Sequence, residues 1–235
     1  MLAPVFIHLR LHSEYSISDS TVRLDAAIGR AAVDAMPALA LTDLANLFRM
    51  VKFYSAARAA GVKPVIGCDM WVADAPETAE RTSQRDSASR LLLLVKNHAG
   101  YLRLCELLSQ AYLGTRPRGR AEITRTALAT GDNSGLIALS GARWGDVGMA
   151  LLGGGDTQAA KLARQWQALF PGGYYLEIQR YGQPQEELLV SRSAALAASL
   201  GLPLVATHPV QFLEREDFKA HEARVCIAEG YVLGD

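Results

Sequence analysis

The chain has 235 residues, half of them apolar, with 24 basic and 24 acidic side chains and a net charge of zero. That length supports one large α/β domain or two small ones, and the neutral balance excludes a global basic field for nucleic acid. Cys68, Cys105 and Cys226 form no Cys-x-x-Cys pair, which excludes a zinc ribbon and argues against a disulfide scaffold.

Taken in order, residues 5–11 (Val-Phe-Ile-His-Leu-Arg-Leu) predict a buried strand. A polar stretch with His12, Ser13, Ser16 and Asp19 follows, then a helix over 22–35. Residues 37–43 predict the second strand. The next helix spans 46–60, with Leu47, Met50, Val51 and Tyr54 on one face, and Gly61 is placed as its C′ glycine. Residues 62–71 form the third predicted strand, 73–89 a polar surface loop, and 90–96 a fourth strand that is apolar on both faces.

A helix is expected over 100–112, a basic loop over 117–120 and another helix over 121–129. Residues 135–140 predict the fifth strand. Helices over 146–152 and 157–170, a strand over 174–180, and a helix over 184–200 ended by Gly201 come next. The last strand covers 202–207 and a final helix 215–229. Seven strands alternating with helices imply a parallel sheet covered by helices. No Gly-x-Gly-x-x-Gly follows the first strand, which favours a closed barrel over a nucleotide-binding open sheet.

In a parallel barrel the chemistry sits where strands end. This sequence places there Arg10, His12 and Asp19, then Asp43, Asp69, Arg143, and the run Thr207-His208-Pro209-Val210-Gln211. Arg10 stands two residues before His12, on the same side of a strand, where a metal site would want a second histidine. Arginine stays charged and offers no lone pair. His12 therefore reads as a hydrogen-bonded, partly buried histidine. Ser13 and Ser16 lack a nucleophile elbow, and His208 and His221 stand isolated. The arginines at 116–120, with Arg125, carry no interleaved aromatics and read as a solvated surface.

Several stretches carry a resemblance: Phe6-Ile-His-Leu-Arg-Leu-His-Ser-Glu-Tyr-Ser, Pro37-Ala-Leu-Ala-Leu-Thr-Asp-Leu-Ala-Asn-Leu, Gly61-Val-Lys-Pro-Val-Ile-Gly-Cys-Asp and Gly135-Leu-Ile-Ala-Leu-Ser-Gly. Tyr175-Leu-Glu-Ile-Gln, Leu202-Pro-Leu-Val-Ala-Thr and Asp217-Phe-Lys-Ala-His-Glu-Ala-Arg complete them. In this order they resemble the polymerase and histidinol phosphatase (PHP) domain that begins the alpha subunit of bacterial DNA polymerase III. The resemblance implies an α/β fold, a distorted seven-stranded parallel (β/α)7 TIM-like barrel. It also implies one PHP domain over residues 1–235 and a much longer polypeptide beyond it.

Family members with an intact site hold a metal cluster on His, Asp, Glu and Cys side chains. Carried over by position, the resemblance leaves a vestigial cluster here: Arg10, His12, Asp19, Leu44, Asp69, Arg90, Ala142, Pro209 and Gln211. It implies no metal, cofactor or catalytic residue in this segment; if any ion binds, His12, Asp19 and Asp69 are the candidates. Arg10 is expected to pair with one or more of Asp19, Asp43 and Asp69, a structural substitute for the missing cation.

The function the resemblance implies is DNA-directed DNA polymerase for the whole protein, with magnesium in the absent polymerase domain. The segment itself is then structural, bracing the rest of the alpha chain and docking the proofreading exonuclease (epsilon) subunit, with DNA met through other domains. The alternative is a metal-dependent phosphoesterase, pyrophosphatase or 3′–5′ exonuclease using His12, Asp19, Asp69 and His208. No signal peptide or membrane span is evident, and a cytoplasmic location is expected.

Overall fold

A computed structural model describes residues 6–73, 88–114 and 120–233. The expected surface loop over 73–89 lies outside the described residues apart from its ends, as does most of the basic loop at 117–120. The chain forms two compact units, Met1–Cys68 with His208–Asp235, and Asp69–Thr207. Its class is α/β, with seven strands among the described residues.

In the first unit, helix α1 (Leu24–Val33) turns Leu24, Ala27, Ile28 and Ala31 inward, at the three- and four-residue spacing of one helix face. They pack with Leu39 and Leu41 of strand β1 (Ala38–Leu41), with Phe53 and Ala57 of helix α2 (Met50–Ala59), and with Leu11, Val22 and Val62. β1 pairs in parallel with the start of strand β2 (Lys63–Ala73). Helix α2 begins four residues later than its periodicity predicts. Asn46 is the reason: its side chain donates to the Leu44 and Tyr15 carbonyls and accepts from the Phe48 amide, a local alternative to helix. The far end fits expectation. Gly61 takes φ 76°, the Gly61 amide donates to the Arg58 carbonyl, and the Val62 amide donates to the Ala57 carbonyl, which together make a Schellman motif.

The first expected strand is corrected. Residues 6–10 are not a regular strand, and Leu11 makes only an isolated parallel bridge to Val210. The carbonyls of His8 and Leu11, three positions apart, accept from the amides of Ala40 and Thr42, two positions apart. One extra residue is therefore inserted between them, a β-bulge that breaks the ladder and re-aims the side chains around Arg10.

In the second unit the hydrogen-bonded strand order is β2-β3-β5-β6-β7, with β4 also on β2. The strands are β3 (Ser89–Val95), β4 (Glu122–Thr124), β5 (Leu136–Leu139), β6 (Tyr174–Gln179) and β7 (Leu204–Thr207). Five helices accompany them: α3 (His98–Leu113), α4 (Arg125–Ala129), α5 (Asp146–Leu152), α6 (Asp156–Leu169) and α7 (Glu186–Leu200). The expected helix over 121–129 is divided. β-branched Ile123 and Thr124 extend along the end of β2, and the Thr124 hydroxyl then accepts from the Ala127 amide and caps the short α4.

The all-parallel expectation is also corrected, because β3 and β5 run antiparallel, with Leu92 opposite Leu139 and Val95 opposite Leu136. Asn97 accepts from the Gly100 amide and starts α3 directly after β3, while the Lys96 amide donates to the Gly135 carbonyl. Helix start and strand entry thus press together where only glycines fit. A Cβ on Gly100 would lie 1.8 Å from the Gly135 oxygen, and one on Gly135 2.4 Å from the Gly100 nitrogen.

The final helix, α8 (Phe218–Glu229), belongs to the first unit. Among the described residues no helix is long and apolar enough to cross a membrane.

Two glycine substitutions should therefore move stability in opposite directions. Gly100→Ala should cost about 1–3 kcal/mol, the usual penalty of an overpacked contact. Gly29→Ala, in an exposed turn of α1 with nothing within 4 Å of the new Cβ, should gain about 0.5–1 kcal/mol. Denaturant melts of the two variants check both signs.

Candidate functional site

The polar stretch after Leu11 folds into a tight loop. The Ser16 amide donates to the Ser13 carbonyl, and the Asp19 and Ser20 amides both donate to the Ser16 carbonyl. At the centre of this loop stands Asp43, delivered by the end of β1 and 1% exposed. One carboxylate oxygen accepts from the Ser13 amide at 2.6 Å and the Ser16 hydroxyl at 2.8 Å. The other accepts from the Ser13 hydroxyl at 2.9 Å. The Ser16 hydroxyl oxygen also accepts from the Leu44 amide, and the Cys68 thiol donates to the Asp43 carbonyl.

Asp43 as an ion-pair candidate is thereby corrected: among the described residues its carboxylate partners are two serine side chains and an amide, not a guanidinium. Ser13 and Ser16, which suggested at most a nucleophile, are its hydrogen-bond donors.

His12 is buried, and its Nδ1 lies 3.0 Å from both carboxylate oxygens of Asp19. A carboxylate behind an imidazole fixes the ring's orientation and tautomer, the arrangement that commonly stands behind a metal-ligating histidine. Arg10 is also buried, and Leu44, Pro209 and Gln211 are partly so. The Gln211 backbone carbonyl accepts from the Ser20 hydroxyl and the Thr21 amide, tying this segment to the loop through the main chain. His208 is exposed, with its ring 6.2 Å from that of His8. Burial, and then the neighbouring His208, hold His8 below the ordinary histidine range. Burial likewise lowers His221, with Asp19 opposing the shift.

In the second unit, Asp69 is fully buried and accepts from Arg90 at 2.8 Å. This ion pair joins two positions of the vestigial cluster, and the basic partner is Arg90, placed at the start of β3. Arg90 also lies over the Trp71 ring, 4.1 Å from its centroid, and Arg120 lies 4.0 Å from the same centroid while pairing with Glu122. Ala142, where the family pattern has a cysteine, opens a short 3-10 turn at Ala142–Trp144 and carries no ligand atom.

Sequence reasoning missed Glu177. This side chain is 1% exposed and accepts from the Gly141 amide, the Thr207 hydroxyl and the Gln179 amide group. Its own backbone amide donates to the Ser140 hydroxyl. The available signal was a carboxylate inside the otherwise apolar strand Tyr-Tyr-Leu-Glu-Ile-Gln, two residues from a glutamine that shares its face. A second cluster went unseen as well: Asp146 is paired with Arg125 and accepts from the Trp166 indole at 3.0 Å, and the Arg125 guanidinium lies over that ring.

A family-type metal cluster can be tested against these donors. Leu44, Ala142 and Pro209 offer no side-chain lone pair, and Arg10 and Arg90 bring positive charge. Among the described residues no group of three or more His, Cys, Asp or Glu side chains is placed to hold a metal ion. The residues do not fit the cluster. Among the described residues, the arrangement partners buried carboxylates with hydroxyls, amides, the His12 imidazole and the guanidinia of Arg90 and Arg125.

Comparison with known proteins gives the family. A model described as the PHP domain matches residues 8–181. The chain is 49% identical over 239 residues to the DNA polymerase III subunit alpha of Neisseria meningitidis serogroup A, covering 100% of this chain and 20% of the relative. It is 40% identical over 235 residues to the DNA polymerase III subunit alpha of Escherichia coli K12, covering 100% of this chain and 20% of that one. The chain thus spans about a fifth of the length of the curated relatives it matches. An amidohydrolase from Chromobacterium violaceum, solved with bound sulfate and no metal, superposes with a TM-score of 0.55 at 18% identity, covering 94% of this chain and 97% of that one, a likeness of fold alone. With the model matched along residues 8–181, this chain belongs to the PHP domain family.

Proposed function

We propose that residues 1–235 are the N-terminal PHP domain of a DNA polymerase III alpha subunit, working in DNA replication in the cytoplasm. The observation that carries this reading is the identity of 40–49% to alpha subunits along the whole of this chain. The longer protein would join deoxynucleotides, using magnesium and meeting DNA in domains outside this chain. The domain's own task is structural: it braces the remainder of the alpha chain and docks the proofreading exonuclease (epsilon) subunit. The donor set supports this division of labour, since a metal-dependent phosphoesterase needs a closed set of imidazole and carboxylate ligands around its ion.

Elemental analysis of protein purified without chelator, with a phosphate-release assay beside it, tests the structural reading. The expected result is no stoichiometric transition metal and no turnover. Bound metal that is lost in His12→Ala, together with phosphate release, would overturn it in favour of a phosphoesterase. Docking is tested on the full-length polymerase: removing residues 1–235 should abolish co-elution with the purified exonuclease subunit, and unaltered co-elution rejects that role.

Arg10 has a place in the same proposal. Asp43 takes its hydrogen bonds from serines, and Asp69 has Arg90. Asp19, which already holds His12, is the carboxylate of the first unit we assign to Arg10, so a guanidinium stands in for a cation. Arg10→Ala should then lower stability by about 3–5 kcal/mol, the usual cost of leaving one partner of a buried pair. Asp19→Asn in the Arg10→Ala background should add less than it does alone. An unchanged melting temperature in Arg10→Ala sinks this role.

A further inference from the structure

Helix α2 has two apolar sides, and the first unit uses one of them. Phe53 and Ala57 point inward and are fully buried. Val51 and Tyr54, three residues apart, stand outside, and Phe48 precedes Val51 by three in the turn that enters the helix. Phe48, Val51 and Tyr54 are 65%, 69% and 49% exposed. Periodicity alone makes the side of Val51 and Tyr54 an apolar face of this helix, yet the helix packs through Phe53 and Ala57. An exposed apolar patch rimmed by polar residues marks an interaction site. The rim here is basic. Between Asp43 and Asp69 the sequence has Arg49, Lys52, Arg58 and Lys63 and no acidic side chain, in a chain whose basic and acidic residues balance. Lys52 follows Phe48 by four and Arg58 follows Tyr54 by four, so each borders the apolar side chains. Both are exposed, and among the described residues neither makes an ion pair. The acids beside this helix are Asp25, which lines a cleft with Lys52, and Glu14, 3.7 Å from Arg49.

We infer that this outer face of α2, from Phe48 to Arg58, docks an acidic amphipathic segment of a second protein. The segment sets apolar side chains, spaced three and four apart, on Phe48, Val51 and Tyr54, and Asp or Glu side chains against Lys52 and Arg58. Charge complementarity selects that occupant. A second copy of this chain would bring the same basic helix and oppose like charges across the contact. A single strand of nucleic acid would suit the basic rim, but the patch centres on the aliphatic Val51, which gives a base no ring to stack on.

This inference rests on the reading of the chain as one part of a polymerase assembly. The experiment uses the natural full-length protein, purified with its associated subunits and carrying Val51→p-benzoylphenylalanine at that exposed position. Photolysis is followed by mapping of the cross-links by mass spectrometry. The expected product joins position 51 to a different polypeptide, within a stretch that has net negative charge and apolar residues three and four apart. A cross-link within its own chain, to a second copy, to nucleic acid or to a segment without that character overturns the inference, and so does none at all.

Charge reversal supplies a readout that does not depend on the photoreactive variant. Lys52→Glu with Arg58→Glu, at an unchanged melting temperature, should weaken binding of the captured subunit by about tenfold or more, and exchanging the segment's acidic residues for lysine should restore it. Equal affinity in the doubly reversed variant rejects the inference. In the unmodified assembly the same affinity should fall as salt rises, and salt-independent binding rejects it too. The subunit composition separates the two failures. A full-length protein that purifies without any other subunit removes the polymerase reading and the occupant together. An assembly that forms normally without the cross-link removes only the occupant.

Discussion

The buried carboxylate of Asp43 is the constraint around which the first unit is arranged. A carboxylate that is 1% exposed must be hydrogen-bonded, because an unpaired charge in the interior costs several kcal/mol. Its donors all come from the loop after Leu11, more than twenty residues earlier in the chain. Strand end and loop are therefore folded as one object: the loop cannot open without stripping Asp43 of its partners. Each hydrogen bond to a charged group is worth about 1.5–3 kcal/mol. Three of them on one carboxylate hold the loop closed over the strand end.

The second unit solves the same problem with different chemistry. Asp69 is neutralised by Arg90, which is itself held over Trp71, so the guanidinium is oriented by an aromatic face as well as by its ion pair. Glu177 is held by a backbone amide, a hydroxyl and a side-chain amide. Hydroxyls and amides stabilise a carboxylate without the ligand geometry a metal demands. A buried acidic position can therefore serve as a framework element.

Much of this was legible beforehand. Hydrophobic periodicity located α1, β1, β3, β5 and β6, and Gly61 and Gly201 marked two helix ends because only a residue without Cβ enters the left-handed region at low cost. The losses have physical causes. Alternation records which side a residue faces, not whether the neighbouring strand has advanced by two residues or three, so the bulge between His8 and Leu11 left no trace. The run Leu91-Leu-Leu-Leu-Val95 is apolar on both faces and carries no sign of direction; the antiparallel pairing comes with a close approach of Gly100 and Gly135, two glycines thirty-five positions apart. At the site, sequence position singled out Asp19, Asp43 and Asp69 but could not assign their partners. Charge complementarity favoured arginine for Asp43, whereas the serines win because they sit within the turn that encloses it.

That last point bears on how buried carboxylates are kept in place without a cation. Unpartnered, such groups would repel one another or take up protons. Here the remaining acidic side chains differ in their partners: Asp19 faces a histidine, Asp43 two serines and an amide, Asp69 an arginine. Each has a partner on its own loop or a neighbouring strand. Local satisfaction makes the arrangement tolerant, because no single substitution exposes every carboxylate at once. Within each unit these hydrogen bonds and ion pairs already occupy the carboxylate oxygens that an ion would need.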